Sequence, residues 1–304
     1  MTFCPTSFSP NILSDLQNIS CYEFMRNAYE AGTMIAIIAG ITGYFVVLRR
    51  SAFVAHAFSE IGFAGASGAI LLDSVYFPPI AGLLLGSILG GLAIAVLGRR
   101  AANRDTQIGI ILAFSLGLGL LFISLYKAFA TAAISILFGE IVGISPGEVT
   151  LTFEAGALII VVMAFLYRPL LFASLDEDVA EAKGLPMVFL GTAFMLVVAV
   201  AVSFAVQVTG VLLIFSLMVT PAAAAQYMSR RPSLSIAFSV AVAVVATWVG
   251  LFVAFYTVYP VSFFITAINF SVYIVVRLVK QGLKSKPAQR PAAKPVPYAA
   301  TVPT

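Results

Sequence analysis

Long apolar runs, broken by short polar stretches, cover almost all of the chain between residues 31 and 280. A helix that crosses a bilayer needs about 20 predominantly apolar residues. Runs of that kind fall at 31–48, 52–72, 77–98, 106–126, 147–167, 186–206, 209–228, 234–256 and 260–279. The pattern predicts an all-α, polytopic membrane bundle of about nine spans, within a range of eight to ten. The stretch KAFATAAISILFGEIVGIS is too short and too interrupted for a clear span, and reads as a short or re-entrant helix on one side of the membrane. Were it to cross, the spans would number ten and the C-terminus would change side.

Charge decides between these arrangements. With nine spans and the N-terminus outside, 15 of the 17 Lys and Arg residues fall on the cytoplasmic side, and only Arg26 and Lys127 remain outside. Cytoplasmic loops of membrane proteins carry such an excess, so the expected topology is N-out and C-in. A tenth span would scatter the later basic clusters to the outer face.

Composition agrees. The chain is 61% hydrophobic and 10% charged, with a mean hydropathy of +1.05, whereas soluble domains carry about 25% charged residues. The net charge of +4 does not point to nucleic acid, because the basic residues sit in short clusters between apolar runs. Residues 1–30 are expected to form an external N-terminal segment. They lack the basic start and apolar run of a signal peptide, so the first span is expected to do the targeting. Cys4 and Cys21 both precede that span and read either as unrelated thiols or, in an oxidising compartment, as a disulfide. Residues 31–280 form the transmembrane domain. Residues 281–304, rich in Pro, Ala and scattered Lys, predict a disordered cytoplasmic tail.

One cytoplasmic segment looks ordered. In LLFASLDEDVAEAKGLP, Ser174 is placed to cap a short helix, and Asp176, Glu177 and Asp178 suit its first turn. Gly184 is placed to end that helix, and Pro186 to open the next span. Within the spans, glycine-rich stretches such as GFAGASGA and GSILGGLAIAVLG predict close helix packing, since small residues let backbones approach where lipid gives no hydrophobic drive.

Ionisable residues at membrane depth are few. His56, the one histidine of the chain, precedes Glu60 by four residues, which places both on one helix face. Such residues usually face a bundle interior, a cavity or a partner. Two readings follow. One is a structural His–Glu hydrogen bond. The other is a transient site for a cation, for which imidazole nitrogen plus carboxylate oxygen suits first-row divalent metals, or else a proton. Glu140 and Glu154 are secondary candidates, for which a packing or interface role is the first reading. No G-x-x-x-x-G-K-[ST] loop occurs, so ATP hydrolysis by that route is not expected of this chain. A single histidine also excludes bis-histidine haem ligation within it. No resident cofactor is expected.

Several of these blocks, taken in order, resemble the membrane permease subunits of bacterial ATP-binding-cassette importers for zinc, manganese or iron. LRRSAFVAHAFSEIGFAG stands where that family has Arg followed by Gly-Asp-x-x-x-His, with His56 at the Asp position and Glu60 at the His position. RDTQIGIILAFSLGLG resembles its Asp-x-x-Ile-Gly span, through Asp105 and Gly109. ISILFGEIVGIS resembles its Leu-Phe-Gly block. SLDEDVAEAKGLP resembles its Asp-x-x-x-Ala-x-x-x-Gly cytoplasmic helix, through Asp176, Ala180 and Gly184. VTGVLLIFSLMVTPAAAAQ resembles its Gly-x-Leu-Leu…Pro-Ala-Ala span, through Gly210 and Pro221. The family's Pro-x-Gly turn before the last span is reduced here to Pro260 without the glycine.

The resemblance implies a non-enzymatic subunit in a bacterial inner (plasma) membrane, paired with a second copy of itself around the pathway. A cytoplasmic ATPase dimer would use the ATP, and an extracytoplasmic metal-binding protein would deliver the metal. His56 and Glu60 would meet the metal in transit, and the 174–184 helix would couple to the ATPase. A proton- or ion-coupled secondary carrier using His56 and Glu60, or a permease for a metal chelate, are the other readings the residues allow.

Overall fold

The computed structural model describes residues 21–72, 77–97, 104–125, 139, 141–257 and 259–284. Within them the chain is helical, with no strand. The helices are α1 (Glu23–Leu48), α2 (Ala52–Leu71), α3 (Pro79–Leu97), α4 (Arg104–Ser124), α5 (Pro146–Leu175), α6 (Glu177–Ala182), α7 (Met187–Thr209), α8 (Val211–Met228), α9 (Pro232–Phe255) and α10 (Val261–Lys284). Eight of these are long and apolar enough to cross a membrane, and α3 contributes a shorter apolar stretch, Pro79–Ile94. The Lys127–Phe138 part of the re-entrant stretch, Glu140, the tail beyond Lys284 and the pairing of Cys4 with Cys21 lie outside the described residues.

Two helices start or run differently from the hydropathy pattern. The first begins at Glu23 rather than at residue 31. Its first turns hold Met25, Asn27 and Ala28 in the interior, and the Asn27 amide donates to the Ile144 carbonyl at 3.0 Å. α5 continues through Pro169 to Leu175, past the basic residue Arg168 that marks the end of its apolar run.

The bundle is built around α1 and α7. α2 packs chiefly on α3 and α4, α1 packs on α9, α8 and α5, and α10 closes against α8 and α9. α7 touches α3, α5, α1, α2 and α8, and so joins the two groups. With no hydrophobic drive between helices in lipid, backbone proximity and interhelical hydrogen bonds hold such a bundle. Gly43 of α1 lies against the backbone of Met218 in α8, and Gly40 against Val240 in α9. Ser87 of α3 donates to the Phe58 carbonyl of α2 at 3.2 Å, and Ser203 of α7 to the Leu83 carbonyl of α3 at 3.4 Å.

The turns are tight. α1 passes into α2 through Arg49, Arg50 and Ser51, with Arg50 in the left-handed region at φ 53°. The Ser51 amide donates to Val46 at 2.8 Å and the Arg50 amide to Val47 at 3.1 Å, the paired 6→1 and 5→2 bonds of a Schellman end. The Arg49 guanidinium lies 5.6 Å from the ring centre of Phe194 on α7. α7 and α8 meet at Gly210, whose φ of 81° and ψ of 164° are open to glycine and strained for other residues.

Candidate metal-translocation site

α2 places the candidate ligands inside the bundle, because its apolar and small residues are buried on nearly every side. Glu60 is 4% exposed and His56 is half-buried. The His56 ring meets Phe215 of α8 edge to face, with centroids 5.5 Å apart. The Ser59 hydroxyl donates to the His56 carbonyl at 2.7 Å, which holds it back on the helix. No hydrogen bond joins His56 to Glu60 among the described residues. His56 Nδ1 and Glu60 Oε2 are buried atoms without a partner there. A buried polar atom left unpaired costs about 1–3 kcal/mol, so two of them one turn apart are expensive unless they have work to do. An imidazole nitrogen and a carboxylate oxygen on one face can offer two donor atoms to a cation. No group of three or more His, Cys, Asp or Glu side chains converges among the described residues, so the arrangement differs from a tight structural metal centre.

Farther along α2, beyond Glu60, a cavity of about 510 Å³ opens between the C-terminal ends of α2 and α7 and the start of α5. Ala66, Ile70 and Leu83 form its apolar wall, and Glu148 and Gln207 its polar one. Glu148 accepts from the Ser145 amide at 2.9 Å, and its own amide donates to the Ser145 hydroxyl at 3.4 Å. These bonds make a capping box at the α5 N-terminus. Gln207 Nε2 donates to the other carboxylate oxygen at 3.3 Å, tying the end of α7 to the start of α5. Glu148 was not among the sequence candidates. The signal that could have found it is S-P-G-E ahead of an apolar run.

Glu154 is not brought to His56 and Glu60. It is exposed on α5, eight residues beyond Pro146, on a helix whose neighbours are α1, α6 and α7. Glu140 lies outside the described residues.

The 174–184 segment holds a short helix, but its cap differs from expectation. α5 runs through Ser174, whose hydroxyl turns back to the Leu170 carbonyl. Asp176 caps α6 instead, its Oδ1 accepting from the Val179 amide at 3.0 Å. Gly184, at φ 81°, ends α6 as expected. Leu185 donates to Ala180 at 3.2 Å and Gly184 to Glu181 at 2.8 Å, a second Schellman pair. Ala180 is fully buried against the chain's own α5 and α7, and the outward face carries Glu177, Asp178, Val179 and Glu181.

This architecture matches known proteins. Residues 21–280 match the model of the ABC 3 transport family. The manganese transport system membrane protein MntC of Halalkalibacterium halodurans is 24% identical over 253 residues, 83% of this chain and 85% of that protein. The high-affinity zinc uptake system membrane protein ZnuB of Buchnera aphidicola is 26% identical over 262 residues, 85% of this chain and 99% of that protein. Among solved structures, PsaBC from Streptococcus pneumoniae in complex with Fab superposes with a TM-score of 0.80 at 26% identity, covering 90% of this chain and 99% of that one. A match along residues 21–280, with the fold kept across that span, places this chain in the ABC 3 transport family.

Proposed function

We propose that this chain is the membrane permease subunit of an ATP-binding-cassette importer for a divalent first-row metal, manganese or zinc before iron. Two copies frame the pathway, a separate cytoplasmic ATPase dimer supplies the energy, and an extracytoplasmic metal-binding protein delivers the cation. Membership of the family and the manganese and zinc transport roles of its relatives support the class of activity. The observation that carries the chemistry is the pair of buried, unpartnered ligand atoms, His56 Nδ1 and Glu60 Oε2, on one face of α2.

The topology that fits has nine crossings, with α3 as one of them and the start of α1 outside. The cavity beside Glu148 and Gln207 then opens to the outside as an entry vestibule, and α6 lies at the inner face with the end of α10. A cation arriving in the vestibule moves along α2 to Glu60 and His56. Two ligands strip part of its water without holding it, as a conduit requires. Closure of the ATPase is transmitted through α6 to α5 and α7, the two helices that carry it and flank the vestibule.

The test is uptake of Mn²⁺ and Zn²⁺ into proteoliposomes holding the complete importer. Single changes His56→Ala and Glu60→Ala should each cut uptake at least about tenfold, the equivalent of about 1.4 kcal/mol, with the complex intact on size exclusion. Wild-type rates in both variants would reject the role given to this pair.

A further inference from the structure

α8 shows two faces. Leu213, Leu217, Pro221 and Ala224 are buried against its neighbours, while positions 212, 216, 219, 220, 223, 226 and 227 form one partly exposed stripe at helical spacing. A stripe that faced lipid would be apolar, because polar groups in hydrocarbon are costly. This one carries the hydroxyls of Ser216 and Thr220 and the amide of Gln226.

These hydroxyls also differ from most others within the spans, Ser239 of α9 being a buried exception. Thr42, Ser67, Ser203 and Thr247, all within spans, fold back and donate to the carbonyl four residues earlier, at 2.7–2.9 Å. That local bond removes a hydroxyl from further contact. Ser216 and Thr220 have the same backbone option and make no hydrogen bond among the described residues. The Gln226 side chain likewise makes no hydrogen bond there: its Nε2 is buried without an acceptor, and only its amide oxygen could meet a cation. Next to the stripe stands Phe215, whose ring meets His56. Polar groups without partners therefore continue from the α2 site along α8 towards Met228, the cytoplasmic end in the N-out arrangement.

We propose that Ser216, Thr220 and Gln226 line the inner half of the cation route, taking the metal from His56 and Glu60 and passing it to the cytoplasm. This rests on the metal-permease reading above. Helical rise puts Thr220 about 6 Å and Gln226 about 15 Å beyond Ser216, so the oxygens form steps rather than one binding site. They are neutral, so they replace water around a divalent cation without trapping it. Hydroxyl and amide oxygens suit harder ions such as Mn²⁺ better than thiophilic ones. Pro221 lies on the opposite, buried face, so its break in the helix ladder is directed away from the route.

Mn²⁺ uptake by the complete importer in proteoliposomes, beside cysteine labelling, tests this. Thr220→Val keeps shape and removes the hydroxyl. It should lower uptake about fivefold, the size of one lost polar contact of about 1 kcal/mol, and Thr220→Ser should restore it. Ser216→Cys and Thr220→Cys should react with a membrane-impermeant thiol reagent applied from the cytoplasmic side, and Mn²⁺ should slow that reaction. Wild-type uptake by both Thr220→Val and Ser216→Ala, or cysteines inert to the aqueous reagent, would overturn the route along α8. In that case loss of uptake in His56→Ala would leave the metal-permease reading standing. Normal uptake by His56→Ala would reject both.

Discussion

Gly65 of α2 and Gly82 of α3 face each other so closely that a methyl group added to either would strike the carbonyl oxygen of the other. The contact continues on both sides. A Cβ on Gly86 would lie 2.9 Å from the Ile61 carbonyl oxygen, and one on Gly90 would lie 2.6 Å from the Ile61 side chain. Gly82, Gly86 and Gly90 thus form a G-x-x-x-G-x-x-x-G ridge, the pattern that lets two membrane helices touch through their backbones. Because α2 also carries His56 and Glu60, this seam fixes the depth and rotation of those two residues.

The first prediction uses that seam. Gly65→Ala should destabilise the subunit by about 1–3 kcal/mol, as overpacking does in a close contact whose obstacle is backbone. Gly117→Ala on α4 is the control, since nothing lies within 4 Å of a Cβ there. Added helix propensity of up to about 1 kcal/mol should leave that variant as stable as wild type or slightly more so. Thermal unfolding of both in detergent checks the pair, and equal melting temperatures would refute the backbone contact.

Hydropathy made the spans and their packing residues legible, but it did not show which stretches meet. GFAGASGA and GSILGG were readable as packing sequences one at a time. Their mutual contact depends on the rotation of α2 against α3, a tertiary property. The start of α1 was missed because Glu23, Arg26, Asn27 and Glu30 lower the apolar signal, although Asn27 is satisfied by a carbonyl 117 residues away. Ser174 reads as a cap in sequence because the apolar run stops at 167 and an acidic cluster follows the serine. The ladder nevertheless runs on past Pro169, as Pro is tolerated in membrane helices whose neighbours compensate. At the site, His56 and Glu60 were visible as costly residues in an apolar span. Phe215, Ser216 and Thr220 were hidden, because a hydroxyl that folds back and one that does not look identical in sequence.

The second prediction concerns α6. Ala180 anchors this helix to α5 and α7, and Val179, 42% exposed, lies on the outward face. If that face meets the ATPase, Val179→Cys should react with an aqueous maleimide and crosslink to the ATPase in the assembled importer. Ala180→Cys should do neither. Ala180→Trp should displace the helix from its own bundle and abolish ATP-driven uptake while the ATPase alone keeps its activity. Crosslinking from position 180 in preference to 179 would assign the contact to the other face.

The third prediction asks whether ligand type or ligand order governs the site. The resembling family carries Asp and then His where this chain carries His56 and then Glu60, so the donor chemistry is kept and its sequence reversed. On a helix the two positions are one turn apart, about 6 Å along the axis, and a cation between them meets one nitrogen and one carboxylate oxygen in either order. The change His56→Asp removes the ring that packs on Phe215, a contact worth about 0.5–1.5 kcal/mol beyond its area. The change Glu60→His puts a larger ring where the carboxylate is almost fully enclosed. The double variant should therefore be slower than wild type, yet clearly faster than His56→Ala or Glu60→Ala, because both ligand classes remain. Initial rates of Mn²⁺ and Zn²⁺ uptake at equal reconstitution measure this, with assembly checked by size exclusion. A double variant that assembles but transports no better than the single alanine changes would mean that each donor is matched to its own depth in the route.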